Sequence, residues 1–201
     1  MLDKYQNKYH IKSARLEGYD YRNEGLYFVT ICTKNKHHYF GKIENGNPFL
    51  NDIGLIAEKY WADIRQHFNH VSLDAFVLMP NHIHGIVCID EMPNVETLDA
   101  TSQKTTEQAL PEIDKTLHER SLNNSNKNQH FQNISPKAYS LSVIIRSFKS
   151  AVSKECRKIN PDFEWQPRFH DHIIRDARSF ENIRNYIINN PVNWKEDNYY
   201  V

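Results

Sequence analysis

The chain has 201 residues, of which 39% are apolar and 12% aromatic, and its formal net charge is zero. That length suits one domain with an elaboration, and the apolar share is enough for a core. The charge balance excludes the global basic signature of a nucleic-acid binder, and no apolar run nears the roughly 20 residues that span a bilayer.

The neutral average conceals a split. Residues 90–133 carry eight acidic and four basic side chains, so the remainder is net basic. Cys32, Cys88 and Cys156 are widely spaced in apolar or helical surroundings and read as reduced core thiols. With no apolar leader segment, a soluble, cytoplasmic protein is expected.

In chain order, residues 1–25 are polar and rich in tyrosine. Leu26 to Thr33 is β-branched and aromatic, a buried strand. Phe40 to Gly46 reads as a short strand entering an Asn-Gly turn. Asn51 or Asp52 can cap a helix whose apolar positions are Ile53, Ile56, Ala57, Tyr60, Trp61, Ile64 and Phe68. Val71–Met79 and 82–89 are strands joined by Pro80-Asn81, an antiparallel hairpin.

Residues 91–136 lose periodicity and fill with Asn, Gln, Ser, Thr, Glu and Lys. They read as a polar, flexible insertion rather than a domain. From Tyr139 an amphipathic helix carries Leu141, Ile144, Ile145, Phe148, Val152, Cys156 and Ile159 on one stripe. Basic residues dominate its remaining surface. Trp165 to Ile174 is a loosely alternating last strand. Ser179 is expected to cap a final helix that Pro191 ends. The order of elements suits an α+β fold of ferredoxin-like type, an antiparallel sheet with helices on one face.

His82-Ile83-His84 opens the strand after the Pro-Asn turn. Alternation along a strand puts both imidazoles on one side, which makes half of a metal site. On the last helix Ile183, Tyr186, Ile187 and Asn190 share a face. Taken singly, Tyr186 reads as a core-edge tyrosine and Asn190 as a helix-ending residue. Taken together they suit phosphoryl chemistry. A tyrosine hydroxyl is a nucleophile that needs help at neutral pH, and a carboxamide oxygen can complete a metal site built on two imidazoles.

His82-Ile83-His84 followed far downstream by Tyr186-x-x-x-Asn190-Pro191-Val192 resembles the single-tyrosine HUH transposases, and most closely the REP-associated tyrosine transposases. Further stretches match in order: Arg15 to Tyr21, Tyr27 to Thr33, Phe76 to His84, and Trp165 to Arg175. The resemblance covers roughly 15–89 and 137–197 and treats 1–201 as one catalytic domain.

The resemblance implies metal-dependent cleavage and strand transfer of single-stranded DNA, hairpin-containing like a REP element or transposon end. Tyr186 would be the nucleophile and form a 5′-phosphotyrosine link. His82, His84 and Asn190 would hold Mg²⁺ or Mn²⁺, and the protein would be a monomer or homodimer. Candidate DNA contacts are Arg15, Tyr19, Tyr21, Arg146, Lys149, Arg168 and Arg175, through phosphates or stacked bases. A domesticated, non-cleaving DNA-binding protein of the same fold is the alternative.

By periodicity alone, His170 and His172 rival the first histidine pair, but their surroundings are polar. A histidine-triad hydrolase needs a third histidine where Ile86 stands. A zinc amidohydrolase barrel needs about 250 residues and alternating strands and helices.

Overall fold

The computed structural model describes residues 16, 18–91 and 138–200. Arg15 and, apart from Glu91, the 91–136 insertion lie outside the described residues. The first strand, β1 (Gly25–Cys32), forms where β-branched and aromatic side chains cluster. A short hairpin follows, β2 (Gly41–Glu44) paired with β3 (Asn47–Leu50). Asn45 and Gly46 turn it with positive φ (51° and 74°), as a two-residue hairpin turn demands.

Helix α1 (Asp52–Ala62) is capped by Asn51, whose side chain accepts from the Gly54 amide. The single helix expected to Phe68 breaks at Asp63, and α2 (Ile64–His67) is one turn. The hairpin of β4 (Val71–Met79) and β5 (His82–Ile89) follows as expected. Beyond the insertion come α3 (Leu141–Cys156), β6 (His170–Ile174) and α4 (Ala177–Asn189). The cap of α4 is Asp176, three residues before the expected Ser179. Its carboxylate accepts from the Ser179 amide at 2.8 Å, so Ser179 lies within the first turn.

The sheet runs β4-β5-β1-β6, with every neighbouring pair antiparallel. This is the α+β architecture, an antiparallel sheet flanked by helices. Strand alternation gives it two apolar faces. Tyr27, Val29, Ile31, Ile83, Val87 and Ile89 pack against α1 and α3. Val77, Met79, Ile86 and Ile174 pack against Ile187 of α4 and Trp194 beyond it. The expectation of helices on one face holds for α1 and α3, whereas α4 takes the opposite face. An amphipathic pattern says that a helix has a side to bury, not which side of the sheet receives it.

Two local features hold this arrangement. Gly85 faces α1, where a Cβ would overlap the Trp61 indole, itself stacked on Phe76 at 5.0 Å. β4 carries one extra residue between Leu73 and Phe76, a bulge that moves the apolar positions from odd to even numbers. The bulge also presents Asp74 to α4, where it accepts from Arg184 Nε at 3.1 Å. Among the described residues, no helix is long and apolar enough to cross a membrane.

Candidate active site

β5 begins immediately after the Pro80-Asn81 turn, so His82 and His84 fall on the face that α4 covers. Opposite them in register stand Cys32 and Thr30 of β1. The two imidazoles are 4.5 Å apart, centroid to centroid, and are 0% and 1% exposed. Burial, reinforced by the neighbouring His84 and Lys36, lowers the pKa of His82 to about 2. Burial lowers His84 to about 4 even though Asp197 pulls the other way. Both are therefore neutral at neutral pH, the form that binds metal.

Asn81 decides which nitrogen of His82 is available. Its Nδ2 donates to the carbonyls of Lys36 and Tyr199, at 3.3 and 2.9 Å. Its Oδ1 therefore faces His82 Nδ1, 2.8 Å away. A carbonyl oxygen only accepts, so Nδ1 carries the proton and Nε2 keeps its lone pair. That Nε2 is buried without a hydrogen-bond partner. In His84, Nδ1 contacts Thr30 Oγ1 at 2.8 Å. On the other side of the ring, Nε2 lies 3.2 Å from the Tyr186 hydroxyl.

Helix α4 brings the downstream residues in. Ile183 and Ile187 pack into the core beneath it and aim Tyr186 and Asn190 at the histidines. The Tyr186 ring lies 5.2 Å from the His84 ring and meets Phe28 edge-on at 6.2 Å. The residue stays 45% exposed, so the phenol is open on one side. Burial of the hydroxyl and then the Asp197 charge raise its pKa to about 12. Asn190 is 2% exposed, and its Oδ1, like His82 Nε2, has no hydrogen-bond partner.

Asp197 is the site residue that the sequence analysis missed. It follows the turn Trp194–Glu196 on the far side of Pro191. Its Oδ2 accepts from Asn190 Nδ2 at 2.7 Å and from the Tyr186 hydroxyl at 3.4 Å, and its Oδ1 accepts from the Tyr199 amide at 2.6 Å. No periodicity marks it. The sole hint is the aromatic content of the tail, which folds back so that Tyr199 lies 4.6 Å from the His82 ring and Trp194 5.9 Å from it.

One ligand atom each from His82, His84 and Asp197 lie within 4.8 Å of one another, so this cluster could coordinate a divalent ion. Two neutral imidazoles, a carboxylate and the orphaned Asn190 Oδ1 fit such an ion. His170 and His172 point to the same sheet face as Thr30 and Phe28. Both are exposed, and among the described residues they join no cluster of three potential ligands.

The other candidates are spread more widely. Tyr21 is buried, its ring 5.2 Å from Tyr19 and 6.0 Å from Tyr27, and its hydroxyl accepts from the Leu16 amide. Tyr19 is half-buried, with its hydroxyl 3.2 Å from that of Tyr27. Arg146 lines a groove along α3 with Ser147, Ser150 and Lys154. Lys149 donates to the carbonyls of Gln166 and Arg168, both at 2.7 Å, and so ties down the approach to β6. Arg168 and Arg175 flank β6 and are exposed.

No model of a known protein family matches the chain. An uncharacterised protein of Haemophilus influenzae is 37% identical over 194 residues, spanning 96% of this chain and 94% of its own length. A second Haemophilus influenzae protein, named as a candidate REP-associated tyrosine transposase, is 22% identical over 180 residues, covering 86% of this chain and 73% of its own. Among solved structures, a REP-associated tyrosine transposase bound to a REP hairpin superimposes with a TM-score of 0.52. It has 18% identity and covers 90% of this chain and 73% of that one. The chain belongs to the family of the uncharacterised Haemophilus influenzae protein that it matches nearly end to end, and it shares the fold and a weak sequence homology with the REP-associated, HUH-type tyrosine transposases.

Proposed function

We propose that this protein cleaves and rejoins single-stranded DNA through Tyr186, with His82, His84 and Asn190 holding Mg²⁺ or Mn²⁺ against the scissile phosphate. The observation that carries the reading is the convergence of a half-exposed tyrosine, its hydroxyl 3.2 Å from His84 Nε2, on two buried acceptors without partners, His82 Nε2 and Asn190 Oδ1. Such an arrangement has little purpose in a core, where an unpaired buried acceptor costs about 1–3 kcal/mol.

In the proposed reaction the Tyr186 oxygen attacks phosphorus, and the bond from phosphorus to the 3′-oxygen breaks. The products are a 5′-phosphotyrosine and a strand ending in a 3′-hydroxyl, and the reverse attack by another 3′-hydroxyl releases the enzyme. A bound divalent ion would neutralise charge on the phosphate. Asp197 Oδ2, 3.4 Å from the phenol, is the nearby acceptor for its proton. Phe28 and His84 hold the ring, and the exposed side of Tyr186 is where the strand would approach. The solved relative of like fold is bound to a REP hairpin, which supports a hairpin-containing substrate here. On this reading residues 1–201 are one catalytic domain, and 91–136 are an elaboration of it.

The test is a labelled single-stranded hairpin oligonucleotide from the gene's own genomic flank, incubated with protein and Mn²⁺ and run on a denaturing gel. A covalent adduct is expected, absent with EDTA and with Tyr186→Phe. Cleavage that survives Tyr186→Phe would sink the reading. Tight binding with no adduct would favour the non-cleaving DNA-binding alternative.

A further inference from the structure

We infer that Asp197 is a positioning residue for the metal site and acts through Asn190. This rests on the reading of the site just proposed. An asparagine carboxamide has two ends of nearly equal size, and only its oxygen can bind a cation. Left to itself in a buried site, the side chain could present either end. The Asp197 carboxylate removes that freedom. Its Oδ2 accepts from Asn190 Nδ2 at 2.7 Å, a charge-assisted bond that would become a repulsion if the amide flipped. Nδ2 is thereby held towards the tail, and Oδ1 remains as the buried end without a partner.

The hydrogen bonds that Asp197 already makes favour orientation over direct ligation. Both Asp197 oxygens are engaged by this chain, Oδ1 by the Tyr199 amide at 2.6 Å and Oδ2 by Asn190 and Tyr186. The atoms left without partners are His82 Nε2 and Asn190 Oδ1. The same device recurs at His82, where the Asn81 carboxamide holds Nδ1–H and frees Nε2. Asn81 is in turn held by the Tyr199 carbonyl at 2.9 Å, so the segment Asp197–Tyr199 presets two of the three proposed ligands. Groups that orient ligands in this way commonly change metal affinity by about 10–100-fold when removed.

The experiment is a double-mutant cycle on the full-length protein, read as Mn²⁺ affinity from the electron paramagnetic resonance of free Mn²⁺. Thermal unfolding of each variant checks the fold. Asp197→Ala and Asn190→Ala should each weaken binding by about 10–100-fold. The double variant should bind no more than about threefold more weakly than Asn190→Ala alone, because Asp197 then has nothing to orient. Losses that multiply, as two independent ligands would give, overturn the inference, as does unchanged affinity in Asp197→Ala. If Asp197→Ala does not fold, Asp197→Asn replaces it. Its carboxamide oxygen still accepts from Asn190, so Asp197→Asn alone should bind Mn²⁺ closer to wild type, and combining it with Asn190→Ala should cost little beyond Asn190→Ala. A loss by Asp197→Asn that persists in full when Asn190 is already alanine overturns the inference. The DNA adduct is read separately. Coupling without an adduct would sink the strand-transfer reading and leave the role of Asp197 standing, and an adduct with multiplied losses would do the reverse.

Discussion

Asn81 Oδ1 lies 2.8 Å from His82 Nδ1, and this contact makes the opposite nitrogen of the imidazole the one that faces the site. The turn residue thus acts on the first strand residue through its side chain as well as its backbone. Asn81→Ala removes the acceptor and the two donor bonds that brace it, to Lys36 and Tyr199. Mn²⁺ affinity should fall about tenfold or more, by calorimetric titration. The protein should also lose on the order of 1–3 kcal/mol of stability, by urea unfolding. Wild-type affinity in this variant would mean that His82 does not depend on Asn81 for its tautomer.

Without an ion, Tyr186 is a poor nucleophile. Its pKa is raised to about 12 by burial and by the Asp197 charge. Ultraviolet titration of the metal-free protein should therefore show no phenolate from Tyr186 near pH 10, where a free tyrosine is half ionised. The signal is the difference between wild type and Tyr186→Phe. Added Mn²⁺ should move that ionisation downward, because a cation beside the hydroxyl favours the charged form. An upward move, or none at saturating Mn²⁺, would count against the ion sitting beside Tyr186.

The buried histidines make stability depend on pH. His82 and His84 titrate near 2 and near 4 in the folded protein, against about 6.5 in an unfolded chain. As pH falls below about 6.5, the unfolded state binds protons that the folded state does not, so stability drops until the folded values are reached. The slope approaches about 1.4 kcal/mol per pH unit for each histidine. Urea midpoints of the metal-free protein at a series of pH values between about 7 and 5 should fall more steeply for wild type than for His82→Gln/His84→Gln. Parallel curves would refute this.

Gly85 separates the site strand from α1. Any Cβ there meets the Trp61 indole, which is clamped between Phe76 and Phe148. Gly85→Ala should destabilise the protein by about 1–3 kcal/mol through overpacking. Gly85→Ala in a Trp61→Phe background should lose much less, since the smaller ring leaves room. Equal losses in the two backgrounds would rule out the Trp61 contact as the cause.

Much of this architecture was legible in the residues alone. The runs Leu26–Thr33 and Val71–Met79, the Pro80-Asn81 turn and the apolar stripe from Leu141 to Cys156 each carry a period that local sterics and burial translate into a strand, a turn and a helix. The same alternation put His82 and His84 on one side, and the helical repeat put Tyr186 and Asn190 one turn apart. Two matters were beyond that reading. The side of the sheet that α4 covers depends on both faces of β5 being apolar, a balance that no single element reveals. Asp197 enters the site because aromatic residues fold the tail over His82, and a non-local contact of that kind leaves no periodic trace. The HxH pair and the Tyr-Asn spacing are local geometry and so were determined by the sequence. Their meeting at one point, and the carboxylate that joins them, were decided by tertiary packing.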